Sequence, residues 1–133
     1  MILHIDDNPA DCWLVRKLLS GHRIHTVTVY GSELDALPCR TLDEGGLSDL
    51  VPMALDWLAR HRPDLTLIDY KLGLDHGTVI QPVLEAMARP YAYLTEHTME
   101  ESLRVVPTLP KALLQDQRAF RAAVEGLLGG RPV

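Results

Sequence analysis

The sequence predicts an α/β domain built on a doubly wound parallel sheet, and three observations carry that prediction. The apolar runs Ile2-Leu3-His4-Ile5, Leu65-Thr66-Leu67-Ile68 and Tyr91-Ala92-Tyr93-Leu94 are nearly continuous rather than alternating, as expected of strands covered on both faces. Segments with apolar residues at helical spacing lie between them. Each run also ends in a polar side chain: Asp6-Asp7 after the first, Asp69 after the second, Thr95 after the third, with Lys111 beyond a later run. Strands alternating with helices fold into a parallel sheet through right-handed crossovers. The ends of such strands converge on one edge, where ligands bind.

The elements follow in order. Residues 2–6 read as a buried first strand. Asn8-Pro9 reads as an N-cap followed by proline at the first helical position. Ala10, Trp13, Leu14, Leu18 and Leu19 then recur at helical spacing, with Trp13 in the core, and Gly21 supplies the stop. Ile24, Thr26, Val27 and Val29 mark a second strand. From Tyr30 to about Leu50 the pattern weakens, and Pro38, Gly45 and Gly46 point to a long loop or irregular insertion. Val51 to His61 is a helix with Leu55, Trp57 and Leu58 on its core side, stopped before Pro63. Residues 64–69 form the third strand. Gly73 and Gly77 mark a turn. Thr78 to Met87 is the next helix, with Pro82 in its first turns and Val79, Val83, Leu84 and Met87 inward. Tyr91 to Thr95 is the fourth strand, and the acidic stretch from Glu96 to Arg104 is a solvated loop. Val105 to Leu109 is a short fifth strand interrupted by Pro107. Asp116 begins a last helix with Phe120, Ala123, Val124, Leu127 and Leu128 inward, ended by Gly129-Gly130.

Composition bounds the function. With 133 residues, 47% of them hydrophobic, the chain supports one domain, residues 1–133, around a single real core. No apolar run reaches membrane-spanning length, and the acidic start after Met1-Ile2-Leu3 is unlike a signal peptide. A formal charge of −5 without a basic cluster argues against nucleic-acid binding. Cys12 and Cys39 fit neither a CxxC nor a zinc spacing, which suits a reduced, cytoplasmic setting.

A parallel sheet with these strand ends gathers three carboxylates, a hydroxyl and an ammonium at one place. That set suits a divalent cation held by carboxylates and a phosphoryl group steadied by lysine and threonine. Taken singly, each residue has a plainer explanation. An Asp-Asp pair after a strand favours a helix N-terminus by its dipole. Asp69 is a loop acid, Thr95 a strand-end turn residue and Lys111 a solvated lysine. His4, inside a strand, reads as a satisfied core histidine.

In sequence order, Asp6-Asp7, Asp69, Thr95 and Lys111 resemble the receiver domain of two-component response regulators, and the likeness spans nearly the whole chain. It implies the flavodoxin-like receiver fold, a five-stranded parallel sheet of order 2-1-3-4-5. A partial likeness also exists to the receivers that carry a PFxFATGY-like segment and lack a regular fourth helix. Here Arg89-Pro90-Tyr91-Ala92-Tyr93-Leu94-Thr95 takes that place, with Glu96-His97 where the subgroup has Gly-Tyr. The interval from Thr95 to Lys111 is too short for a full helix, a strand and two turns, so the fourth helix is expected to be short or replaced by a loop.

The resemblance implies phosphoryl transfer from the phosphohistidine of a sensor histidine kinase or phosphotransfer protein to Asp69. An aspartate is an anion at neutral pH and needs no base to attack. Mg²⁺ held by Asp6, Asp7, Asp69 and the backbone carbonyl of Lys71 would offset the repulsion between anions. Lys111 would pair with one phosphoryl oxygen and Thr95 would donate to another. Beyond this self-phosphorylation and dephosphorylation the chain is expected not to be an enzyme. It would signal by protein–protein contact or phosphorelay, without an output domain.

Four positions depart from the family. Ala112 follows the lysine where the family has proline after a cis bond; a cis non-proline bond costs about 3 kcal/mol, so a trans or reshaped lysine loop is expected. Glu96 is bulky and anionic beside Thr95, where a small residue leaves room for phosphate. Thr108 stands where an aromatic switch would be, which shifts the expected signal to the loop from Glu96 to Arg104. Lys71, two residues past Asp69, is placed to reach the phosphate. These departures motivate a second reading, a pseudo-receiver interaction module not regulated by phosphorylation. A third, a phosphatase of the haloacid-dehalogenase type, wants a second acid where Lys71 stands and ranks last.

Overall fold

The structure is a computed structural model that describes residues 1–29, 49–72, 75–96 and 106–129, and the backbone of 42–45. Its strands are β1 (Ile2–Ile5), β2 (Ile24–Val29), β3 (Leu42–Gly45), β4 (Leu65–Ile68), β5 (Lys71–Leu72), β6 (Asp75–His76), β7 (Tyr91–Thr95) and β8 (Thr108–Pro110). Its helices are α1 (Pro9–Leu18), α2 (Leu50–Arg60), α3 (Gln81–Ala86) and α4 (Gln117–Leu128). Six strands form one parallel sheet of order β3-β2-β1-β4-β7-β8. The five predicted strands stand in the predicted order, and β3 adds a sixth at the edge beside β2.

Alternate residues of each central strand face opposite layers. Leu3, Ile5, Val27, Ile68 and Tyr93 pack with Leu50, Ala54, Trp57, Leu58 and Leu84 of α2 and α3. Ile2, Ile24, Leu65, Leu67, Ala92 and Leu94 pack with Val15, Leu18, Phe120 and Val124 of α1 and α4. Because side chains alternate across a strand, a run that is apolar at every position requires a layer on each face.

Local signals set the helix starts. The Asn8 side chain accepts from the N–H groups of Ala10 and Asp11, and Pro9 opens α1. Asp116 caps α4 through the Ala119 N–H. Each cap satisfies donors that a helix start leaves open. Gly21 ends the first crossover at φ +100°, a conformation costly to other residues.

Several expectations are corrected. The irregular insertion after Tyr30 contains β3, whose register pairs Thr26 with Leu42 and Val29 with Gly45; Pro38 and Gly46 lie outside the described residues. The turn around Gly73 and Gly77 includes an antiparallel pair, with Lys71 opposite His76 and Leu72 opposite Asp75; Gly73 itself is not described. The third helix is shorter than predicted, a single 3-10 turn (Gly77–Val79) followed by α3. Ile80 and Leu84 point inward there, whereas Val79 and Val83 are exposed. Trp13 is only partly buried, with the Lys17 ammonium over its ring. The fifth strand begins after Pro107 rather than before it. Described peptide bonds are all trans, Lys111–Ala112 included. The predicted loop beyond Glu96, and with it the fourth-helix question, lies outside the described residues, as does Cys39.

Gly77 holds the turn after β4 against the sheet. Its N–H donates to Tyr70 O at 2.6 Å, and a Cβ there would stand 2.5 Å from Asp69 O. Gly77→Ala is therefore expected to cost about 2–3 kcal/mol in denaturant unfolding, in the range for forced overpacking. Gly21→Ala, which meets no atom within 4 Å, should cost only the backbone term of about 1–2 kcal/mol. Equal losses would show that the Asp69 backbone yields.

Candidate functional site

The register brings the predicted acids to one sheet edge. Ile5 pairs with Val27 on one side and Ile68 on the other, so Asp6 and Asp69 leave adjacent strands at the same level. Two backbone bonds continue the ladder past the strands: Asp6 N–H to Val27 O and Asp69 N–H to Ile5 O. On the far side, Thr95 pairs with Pro110, so Lys111 begins one residue beyond Thr95's level.

Asp6, Asp7 and Asp69 each present a carboxylate oxygen, all within 4.8 Å of one another. Asp6 and Asp69 are buried and Asp7 is partly exposed. Lys111 Nζ sits among carboxylates, 2.7 Å from Asp11 Oδ2, 2.9 Å from Asp69 Oδ2 and 3.1 Å from Asp6 Oδ2. Asp69 Oδ1 accepts the Lys71 N–H at 3.4 Å, and Asp6 Oδ1 accepts the Asn8 N–H at 2.9 Å. The Lys71 side chain is exposed. Thr95 is buried at the end of β7. Glu96 is solvent-exposed, so burial does not press its carboxylate into the site, and Thr108 is exposed with its hydroxyl on Val106 O.

One site residue escaped the sequence reading. Asp11 makes the shortest contact to Lys111, yet in the sequence it is one acid in the first turn of a helix, where the dipole favours acids anyway. The available signal was its place in the first helical turn directly after Asp6-Asp7 and the Asn8 cap, which keeps it at the same sheet edge. His4 departs from the expected satisfied histidine. It is fully buried, neither ring nitrogen has a hydrogen bond among the described residues, and Nε2 lies 3.5 Å from Asp6 Oδ2.

Burial pushes the Asp6 carboxyl above its ordinary value; His4 and Lys111 pull it down, while Asp69 adds to the rise. Burial alone would lower the Lys111 ammonium, but Asp6, then Asp11 and Asp69, outweigh it and hold its pKa above the ordinary lysine value. Lys111 is thus a cation throughout the neutral range, and burial works against the charge of Asp6. Burial likewise pushes the Cys12 thiol, 3.9 Å from Asp6 O, well above its ordinary value. Cys12 is an inert core residue rather than a nucleophile.

These residues can hold a metal ion. The donors are all carboxylate oxygens, the set suited to a hard divalent cation that keeps part of its water shell. Asp6 Oδ2 is buried and, among the described residues, receives no aligned hydrogen bond even with Lys111 alongside. An added cation would supply the missing counter-charge.

The structure can be set beside a solved one. The N-terminal domain of a response regulator/sensory box/GGDEF 3-domain protein from Carboxydothermus hydrogenoformans superposes with a TM-score of 0.62, covering 96% of this chain and 92% of that one at 18% identity. The fold is that of a receiver domain. No protein-family model and no curated protein matches the sequence. Among the described residues, no helix of this receiver fold is long and apolar enough to cross a membrane.

The raised pKa of Asp6 has a checkable sign. A carboxyl whose folded pKa exceeds its unfolded one contributes its full stability below the unfolded pKa and loses it as pH rises through the folded pKa. At neutral pH, ionised Asp6 therefore costs stability when no cation is present. Asp6→Asn is expected to raise the melting midpoint in chelator at pH 7, read by thermal unfolding against wild type. The gain should shrink as the pH is lowered. A fall in the midpoint would show that the pairing with Lys111 outweighs the burial of Asp6.

Proposed function

We propose that this chain is a response-regulator receiver that accepts a phosphoryl group on Asp69. The convergence of Asp6, Asp7 and Asp69 with Lys111 at the carboxyl edge of a receiver fold carries this reading. The Asp69 carboxylate attacks phosphorus in line, and the bond from phosphorus to the donor's imidazole nitrogen breaks. Asp6, Asp7, Asp69 and the Lys71 carbonyl would hold Mg²⁺, which when bound would supply charge neutralisation between the anions. Lys111, already at hydrogen-bond distance from Asp69 Oδ2, moves from that oxygen to a phosphoryl oxygen. Thr95, at the neighbouring strand end, donates to a second. The donor is a sensor histidine kinase or phosphotransfer protein, and the phosphorylated chain acts in the cytoplasm by protein contact or phosphorelay, with no nucleic-acid partner. The chemistry is self-modification rather than turnover of a free substrate.

One observation favours a second reading, a pseudo-receiver interaction module. Among the described residues Lys111 pairs with three carboxylates, so the acids have a counter-charge supplied by the chain itself. The exposed Thr108 in place of an aromatic switch points the same way.

Intact-mass measurement after incubation with Mg²⁺ and a small phosphodonor separates the two. Wild type should gain one phosphoryl group and Asp69→Asn none, because the amide keeps the shape and loses the nucleophile. An unlabelled wild type would favour the interaction module, and a labelled Asn variant would place the acceptor elsewhere.

Mg²⁺ is also expected to raise the melting temperature by mass action on the native state. The rise should vanish in an Asp6→Ala/Asp7→Ala double variant. Equal shifts in the two proteins would remove the metal from this site.

A further inference from the structure

Asp11 stands outside the three acids that can share a cation, yet it makes the closest contact to Lys111. Its place is fixed. It occupies the third position of α1, and its backbone N–H is held by the Asn8 cap. The side chain is only partly exposed. Lys111 has three N–H donors and, among the described residues, three carboxylate neighbours. A cation shared by Asp6 and Asp69 would draw on their oxygens, and a phosphoryl group on Asp69 would engage the carboxylate that now faces Nζ. Of the three present partners of Lys111, Asp11 is the one that neither event claims.

We propose that Asp11 is a positioning residue that keeps hold of Lys111 after Asp6 and Asp69 are engaged, so that the ammonium is divided between Asp11 and the phosphoryl group. This rests on the phosphoryl-acceptor reading of Asp69 and adds to it a determinant of how tightly the phosphoryl group is held. Asp11 keeps Nζ over Asp69, and its charge weakens the grip on an incoming anion. Asp11 Oδ2 and Asp69 Oδ2 touch the same nitrogen, so Asp11 lies near any group carried on that Asp69 oxygen. At about 6 Å and an effective dielectric between that of a protein surface and that of water, one charge changes anion affinity by about three- to tenfold.

Titration with beryllofluoride in saturating Mg²⁺ tests this, with Mg²⁺ alone titrated in parallel. Asp11→Asn keeps the shape and an oxygen acceptor for Lys111 but removes the charge. It should bind beryllofluoride about three- to tenfold more tightly than wild type, with a smaller change in Mg²⁺ affinity. Asp11→Glu restores the charge and should return the affinity toward that of wild type; a purely structural role for Asp11 would not give this pattern. The gain in the Asn variant should also diminish with added salt, as a charge effect does. Unchanged or weaker binding by a folded Asp11→Asn, or a Glu variant as tight as the Asn one, overturns the role of Asp11 and leaves the phosphoryl reading intact. Wild type that binds Mg²⁺ but no beryllofluoride overturns both.

Discussion

A lysine ammonium buried among carboxylates is tolerable only if their charges answer each other, and the whole carboxyl edge is arranged around that condition. Lys111 follows β8, Asp6 follows β1, Asp69 follows β4 and Asp11 lies on α1, so one nitrogen ties together four elements from three separate stretches of the chain. The members are not equivalent: taking away the ammonium would leave the carboxylates uncompensated, the costly case, whereas taking away the Asp6 charge relieves a burial penalty while Asp11 and Asp69 still pair with Lys111. The cluster is also lopsided. Among the described residues Asp6, Asp11 and Asp69 share the Lys111 ammonium, and Asp7 joins Asp6 and Asp69 in a carboxylate set that could hold a cation.

The sheet supplies the geometry that makes this cluster possible. Parallel pairing of β1 with β2 and β4 fixes the level at which Asp6 and Asp69 emerge, and the pairing of β7 with β8 does the same for Thr95 and Lys111. Behind Asp69 the chain is held tightly. Tyr70 stacks on His76 and meets Tyr93 edge-on, while Tyr93 donates to Gln81 at the start of α3. Tyr93 lies two residues before Thr95 in the same strand. Contacts therefore run without a break from the residue after Asp69, through the core, to the strand that ends in Thr95.

Much of this was legible in the sequence because the signals are local. Apolar runs flanked by helical periodicity mark buried parallel strands, Asn8-Pro9 and Asp116 mark helix starts, and Asp6, Asp7, Asp69, Thr95 and Lys111 stand at strand ends that a parallel sheet must bring together. The failures have physical causes too. The segment that pairs as β3 carries acidic and glycine residues that lack strand propensity; it is an edge strand placed by its neighbour β2 rather than by its own composition. Val79 and Val83 matched a helical apolar stripe, but a 3-10 turn precedes α3, and the shorter repeat rotates Ile80 and Leu84 inward instead. Trp13 is long enough to cover the surface of α1 under Lys17 without entering the core.

The sequence by itself determined the layered α/β architecture, the order of its elements and the acids and lysine that meet at one edge. Each follows from period, capping chemistry or the polarity of a strand end, properties a residue shares with its near neighbours in the chain. Tertiary structure alone decided that Asp11 is the closest partner of Lys111 among the described residues, that His4 is buried 3.5 Å from Asp6 Oδ2, and that Gly77 is pressed against the Asp69 carbonyl. Those relations depend on where a distant segment comes to rest. Asp11 and Lys111 stand 100 positions apart in the chain and meet only after α1 and the turn after β8 have docked on the same sheet.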